Sequence, residues 1–303
     1  MVMITPDMDS QDAPCLNVGL CQVYTEAWAV EENLERTLTA LAQARAEGAE
    51  FAIVPECVLH GYGPTNADGY RDRMLEIAEP LDGPRLSRIC EQAKALSLYV
   101  LVGFAERGEG ERVHNSAATI SPEGEVLSVY RKVHLRPFES LAHQGMFSPG
   151  DRFEVTALTV GDRTFQAGTM ICFDREIPES VRCLRSLGAE LIGCPLATDT
   201  SALAILDPKA ADNELITRCR AAENEVFIVV VNHAGRFNGG SFAVGPRGEI
   251  LHQMGAKPGV DVVALPVGLV QKKYHSNPLG WMGWGYRRQA VYDRYLEGGD
   301  GTM

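Results

Sequence analysis

Apolar and polar positions along this chain switch between a strand-like and a helix-like period, and the switching predicts an α/β protein. Cys15 to Val23 is a short apolar run that reads as a first strand. Val30, Leu34, Leu38 and Leu41 mark one face of a helix, which Gly48 closes near Glu47. Phe51-Ala52-Ile53-Val54 reads as a buried strand that stops at Pro55. Leu59 to Tyr70 carries three glycines and a proline and reads as a loop. Pro84 opens a second helix that runs to Leu96, and Tyr99 to Phe104 is another buried strand. Val113–Ile120 and Glu125–Arg131 flank Ser121-Pro122-Glu123-Gly124, the pattern of a β-hairpin. Lys132-Val133-His134-Leu135 then enters a long loop that ends at Ser148-Pro149-Gly150-Asp151.

The second half repeats the alternation. Arg163 to Ile171 reads as a strand, and a helix follows Pro178, with Val181, Leu184 and Leu187 at helical spacing. Leu191 to Cys194 is a strand, Lys209 to Glu223 a helix and Phe227 to Val231 a strand. Phe242–Val244 and Glu249–Gln253 flank Gly245-Pro246-Arg247-Gly248, a second hairpin, and Val260 to Leu265 is the last strand. Composition does not break at the middle, so two similar βαβ-plus-hairpin units are expected to fuse in one domain over residues 15–266. Residues 1–14 read as a flexible leader. The extension 267–303 carries Trp281, Trp284, Tyr286, Tyr292 and Tyr295 among many charges. It cannot build a core alone and is expected to pack on the domain or on a neighbouring subunit.

Composition narrows the function classes. A hydrophobic content of 45% over 303 residues is that of a globular protein with a substantial core. The net charge of −12 argues against nucleic acid and anionic membranes as partners. No run of about 18 apolar residues predicts a membrane span, and the polar N-terminus does not read as a signal peptide. The eight cysteines, at 15, 21, 57, 90, 172, 183, 194 and 219, form no C-x-x-C pair. That removes the usual zinc and thioredoxin patterns and suits a reduced, cytoplasmic protein.

Three potentially reactive groups follow strand-like runs: Glu56 after Phe51–Pro55, Lys132 after Val126–Arg131 and Cys172 after Gln166–Ile171. Strand ends are where α/β folds place ligand chemistry. Taken singly, each residue has an ordinary reading: a solvated or capping glutamate, an exposed lysine, a buried structural cysteine. Together they supply what thiol acyl transfer requires. A carboxylate takes the thiol proton, an ammonium stabilises thiolate and oxyanion, and the thiolate attacks a carbonyl carbon. Cys172 sits where a strand breaks into a turn above a helix, a junction that exposes a side chain while the backbone N–H groups after it stay free to bind a developing oxyanion.

Val54-Pro55-Glu56, Tyr130-Arg131-Lys132-Val133-His134-Leu135, Ser148-Pro149-Gly150-Asp151 and Ile171-Cys172-Phe173-Asp174-Arg175-Glu176-Ile177-Pro178-Glu179 together resemble the nitrilase, or carbon–nitrogen hydrolase, superfamily. Arg220-Ala221-Ala222-Glu223-Asn224 and Val231-Asn232 fit the same pattern, so the resemblance spans about Asn17 to Leu265. It implies a four-layer αββα sandwich of two mixed β-sheets flanked by helices, in subunits that associate as αββααββα homodimers or higher homo-oligomers. It implies no metal and no organic cofactor. Carried onto this chain, it makes Glu56 the general base, Lys132 the oxyanion partner and Cys172 the nucleophile, with the Phe173 N–H completing the oxyanion hole. Members use a second glutamate in the loop after the lysine. Glu139 is the only carboxylate between Lys132 and Asp151, and so takes that place.

The resemblance also orders the candidate reactions. Nitrile-cleaving members usually carry Trp-Glu after the cysteine, whereas Phe173-Asp174 stands here, as in many amidases and carbamoylases. Members that hydrolyse N-carbamoyl-D-amino acids share Cys172-x-Asp174-Arg175 but carry a second arginine, which binds the substrate carboxylate, where this chain has Glu176. The expected function is therefore hydrolysis of a small amide. An N-carbamoyl amine or amino-acid (ureido) substrate is the runner-up, and a nitrilase or a non-catalytic assembly module comes further behind. Arg175 is expected to pair with a neighbouring acid. Asn115 is expected either to fix the loop around the lysine strand or to cap the hairpin. Tyr62 is expected to line the pocket entrance or pack beside it. His134 and His233 are expected to be structural.

Overall fold

The apolar runs become the central strands of two six-stranded mixed sheets in a computed structural model that describes residues 13–63, 69–141, 145–199, 213–270 and 287–296. The leader up to residue 12 lies outside these, as do Trp281, Trp284 and Tyr286 and parts of the three loops after Tyr62, Leu141 and Asp199.

The first sheet contains β1 (Leu16–Gln22), β2 (Phe51–Ile53), β3 (Tyr99–Arg107), β4 (Val113–Ile120), β5 (Val126–Arg131) and β12 (Gly259–Leu265), in the order β12-β1-β2-β3-β4-β5. β1, β2 and β3 are parallel, and β4 and β5 form the expected hairpin. The second sheet contains β6 (Val155–Val160), β7 (Arg163–Thr169), β8 (Leu191–Pro195), β9 (Phe227–Val231), β10 (Phe242–Val244) and β11 (Ile250–Gln253), in the order β11-β10-β9-β8-β7-β6. β7, β8 and β9 are parallel and are followed by the second hairpin. The two halves therefore repeat one plan. Each also gains an antiparallel strand beside its first parallel one: β6 pairs with β7, while β12 crosses over to pair with β1.

α1 (Val30–Ala46) and α3 (Pro84–Leu96) cover the outer face of the first sheet, where Leu34, Leu41, Leu86 and Ile89 meet Ala52, Val54, Val100 and Val102. α2 (Tyr70–Ile77) begins where the glycine-rich loop ends. α4 (Pro178–Ser186) and α5 (Asn213–Asn224) lie on the second sheet, and α6 (Gln289–Leu296) stands near the C-terminus. The main core fills the space between the sheets: Val18, Leu20, Phe51, Ile53 and Leu101 face Phe165, Leu191 and Phe227. Val267 and Val270, just beyond β12, are buried in this same core. Gly193 in β8 leaves room for the facing sheet, since an added Cβ there would lie 2.5 Å from Leu101 Cδ2.

Candidate active site

Proline and crowding turn the chain at the end of β2. Pro55 brings no N–H to the ladder, so pairing stops. Residues 55–57 then press against Gly103 of β3, where a Cβ would stand 2.6 Å from the Pro55 carbonyl and 2.8 Å from the Cys57 nitrogen. This bend buries Glu56 completely. Lys132 follows β5, its backbone still hydrogen-bonded to the Asn115 carbonyl at 2.8 Å. Glu139 closes a short 3-10 helix, Pro137–Glu139, and its Oε2 accepts the Arg136 N–H at 2.7 Å.

These three buried groups converge. Lys132 Nζ donates to Glu56 Oε1 at 2.8 Å and to Glu139 Oε1 and Oε2 at 2.8 and 3.0 Å. Asn115 Nδ2 bridges the same carboxylates, at 2.7 Å to Glu56 and 3.2 Å to Glu139, and its Oδ1 accepts from the Cys57 thiol at 3.3 Å. Asn115 lies at the far end of β4 from the hairpin turn and does not cap it. Tyr62 is likewise more than a wall: its hydroxyl donates to Glu139 Oε1 at 2.7 Å.

Two carboxylates share one ammonium, and their environments push them apart. Burial raises the Glu56 carboxyl, and Glu139 raises it further against the pull of Lys132. Burial alone would raise Glu139 too, but Lys132, Tyr62 and the Arg136 N–H hold it below the ordinary carboxylate range. The Lys132 ammonium, although buried, stays firmly charged between Glu139 and Glu56. Glu56 Oε2 has no hydrogen-bond partner among the described residues. The cluster thus holds one buried carboxylate oxygen ready to take a proton.

Cys172 enters from the second sheet. β7 ends at Thr169, and Cys172–Glu176 winds into a 3-10 turn that begins with Cys172 at φ +45°. Such a φ is uncommon for a residue with a side chain and marks a held conformation. Asp174 fastens the turn by accepting the Ile171 N–H, the Tyr130 hydroxyl and the His134 N–H. Cys172 is only 4% exposed. Burial and the Glu56 charge push it up to about 12, with Lys132 and Arg175 acting the other way. At rest it is therefore protonated, and Glu56 is close enough to feel it. Its sulfur lies 3.6 Å from Thr198 Oγ1.

Arg175 does not pair with an acid among the described residues. It is fully buried, it donates to Asn213, and its Nε and Nη1 have no partner there. The neighbouring acids face elsewhere: Asp174 inward as above, and Glu176 to Arg136 at 3.3 Å. Arg136 also lies over the Phe173 ring, 5.1 Å from its centre. Among the described residues no cluster of His, Cys, Asp and Glu is arranged to hold a metal ion.

His233 and His60 are neutral. The Glu56 carbonyl accepts from His233 Nε2 at 2.7 Å, so Nδ1 accepts the Thr25 hydroxyl at 2.6 Å. His233 therefore anchors the backbone of Glu56, and burial lowers its pKa to about 3. The Gly63 N–H donates to His60 Nδ1, and burial lowers that ring to about 4. Both folded values lie below the unfolded one. Their stabilisation is complete above pH ~6.5 and is lost as pH falls toward the folded values, by up to ~1.4 kcal/mol per ring per pH unit. Melting temperatures from pH 7 to 4.5 should fall steadily, and less steeply in His60→Gln. Equal slopes would remove His60 from the acid response. Strand-end reasoning singled out neither Thr198 nor Thr25, although Thr198 lies three residues beyond β8 and the same rule reaches it.

The carbon–nitrogen hydrolase family model matches residues 17–274. An (R)-stereoselective amidase from a Pseudomonas species is 36% identical over 229 residues, covering 74% of this chain and 75% of that protein. A nitrilase from Pyrococcus abyssi is 28% identical over 266 residues, covering 85% and 92%. Among solved structures, a glutamate-to-glutamine variant of the amidase from Nesterenkonia sp. AN1 shows covalent addition of the acetamide moiety of fluoroacetamide at its active-site cysteine. This chain matches it with a TM-score of 0.72 at 25% identity, over 93% of this chain and 97% of that one.

Proposed function

The chain belongs to the carbon–nitrogen hydrolase family, and from that premise we propose that it cleaves the C–N bond of a small amide through a thioester on Cys172. The observation that carries this reading is the buried Glu56 carboxyl, with one oxygen tied to Lys132 and Asn115, the other without a partner among the described residues, and a charge that raises the buried Cys172 thiol. The similar amidases support the amide as substrate.

In the proposed reaction the Cys172 proton passes to Glu56 as sulfur forms a bond to the carbonyl carbon. The carbonyl oxygen takes up the displaced electron pair. The Phe173 N–H, at the start of a 3-10 turn and so without an intrahelical partner, holds that oxygen together with Lys132. As the C–N bond breaks, Glu56 returns the proton to the leaving nitrogen. Water then attacks the thioester, losing its proton to Glu56, and the C–S bond breaks to give the acid and the restored thiol. Glu139 keeps Lys132 charged and in place, and Tyr62 and Asn115 hold Glu139.

The runner-up, a ureido substrate, gains from Arg175 of the cysteine turn, two of whose donor nitrogens have no partner among the described residues. The two readings separate by products. Primary amides, N-carbamoyl amines, N-carbamoyl amino acids and nitriles are offered to the protein, with Cys172→Ala as blank, and ammonia and carbon dioxide are measured together. The amide reading expects cysteine-dependent ammonia from amides without carbon dioxide. Equal amounts of both gases, from carbamoyl compounds only, would replace it.

Several further features belong to the same proposal. Leu187, just past α4, and Leu215 on α5 are each exposed, apolar surface that suits association with a second copy of the chain. Eight free cysteines suit the reducing cytoplasm. The extension after residue 266 begins on the domain itself, where Val267 and Val270 are buried.

A further inference from the structure

The thiol must be held and, once ionised, stabilised, while Lys132 is called on for the oxyanion. Lys132 Nζ also has three carboxylate oxygens within 3.0 Å to satisfy. The hydroxyl of Thr198 is placed differently. Its hydrogen-bond contact among the described residues is the Cys172 sulfur, at 3.6 Å. A hydroxyl can donate as well as accept, so it serves either state of the sulfur.

This contact is built rather than incidental. Thr198 lies on the segment that follows β8, and the fully buried Asn232, which follows β9, grips its peptide from both sides. Asn232 Oδ1 accepts the Thr198 N–H at 3.1 Å, and Asn232 Nδ2 donates to the Thr198 carbonyl at 2.7 Å. Asn232 is itself fixed: Nδ2 also donates to the carbonyls of Phe237 at 3.2 Å and Gly239 at 2.7 Å, and its N–H donates to Ser241 Oγ at 2.9 Å. The adjacent Asp199 accepts from Asn238 at 2.7 Å. A side-chain amide that uses both its polar ends on one residue's peptide fixes where that residue's side chain emerges.

We propose that Thr198 is a further catalytic residue, whose hydroxyl donates to the Cys172 sulfur as the thiol proton passes to Glu56, and that Asn232 is the positioning residue that aims it. This rests on the reading of Cys172 as the nucleophile. No atom is transferred by Thr198. Its hydrogen bond strengthens as charge develops on sulfur and weakens once the thioester has formed, so it favours attack over the resting state.

The test uses the full chain with Thr198→Val, which keeps the shape and removes the hydroxyl, and Thr198→Ser, which keeps the hydroxyl. Alkylation of Cys172 by iodoacetamide is followed by mass spectrometry from pH 6 to 10, alongside amide turnover. The proposal expects Thr198→Val to lower kcat/KM at least about tenfold, the usual weight of a hydrogen bond to a charged group. It also expects the alkylation profile to move to higher pH, with melting temperature unchanged, and Thr198→Ser to recover both. A valine variant with the wild-type alkylation profile and turnover would overturn it, as would a serine variant no better than valine. Amide turnover that persists in Cys172→Ala would instead overturn the reading on which it rests.

Discussion

Replacing Cys172 with alanine should lower turnover at least ~10⁴-fold while leaving the protein folded. The covalent step has no substitute in this site, because the remaining groups can at best activate water, and a site stripped of its nucleophile keeps only the contribution of binding and oxyanion contacts. The turn should survive. Its fastening comes from Asp174, which accepts from Ile171, Tyr130 and His134 and none of whose bonds involve the sulfur. Alanine meets the same backbone demand as cysteine at φ +45°. Single-turnover hydrolysis measured beside a melting curve checks both halves. Activity within tenfold of wild type, in an intact variant, would refute a cysteine nucleophile.

Lys132→Met should also damage turnover, by ~10³-fold or more, and should change how stability depends on pH. Lys132 is the only cation in contact with the fully buried Glu56 and Glu139 among the described residues. Without it two carboxylates that share Asn115 face each other in a dry site. Breaking such an arrangement costs about 3–5 kcal/mol when both are ionised. A shared proton relieves the repulsion, which raises the folded-state pKa of the pair above its unfolded value. A raised carboxyl contributes stability that is fully present below the unfolded pKa and is lost as pH rises through the folded one. The melting temperature of Lys132→Met should thus approach wild type near pH 5 and fall away from it toward pH 8. A constant gap across that range would show that the lysine does not neutralise the pair, and undiminished activity would exclude it from the reaction.

Much of this architecture is readable in the sequence because its strands are bounded by residues that cannot continue them. β2 stops at a proline, both hairpins turn on glycine and proline, and α3 and α4 begin on Pro84 and Pro178. Edge elements were harder to read. β6, Val155-Thr156-Ala157-Leu158-Thr159-Val160, carries only one fully buried residue, Leu158, and shows no continuous apolar run. α2 starts directly on Gly69 without a capping side chain.

At the site, residue types and strand ends picked out Glu56, Lys132 and Cys172, and the family resemblance, which calls for a second glutamate in the loop after the lysine, picked out Glu139. The partners of Asn115 and Tyr62 were illegible, because a side chain's hydrogen bonds depend on loops folding back over tens of residues. Arg175 misled for a related reason. Its sequence neighbours are acids, but a 3-10 turn spreads successive side chains around its axis, so Asp174 points inward and Glu176 toward Arg136.

Glu56, Lys132 and Glu139 follow strands of one sheet, and Cys172 follows a strand of the other. The distance between acceptor and nucleophile is therefore not a local bond length but a gap between two plates, set by the side chains that fill the space around Gly193. Neither half of the internal repeat owns a reactive set. The first carries proton handling without a nucleophile, and the second a nucleophile without a base. Chemistry exists in this chain only while the plates are closed at their native spacing, so a thiol bared by partial opening would already have lost the carboxylate that activates it.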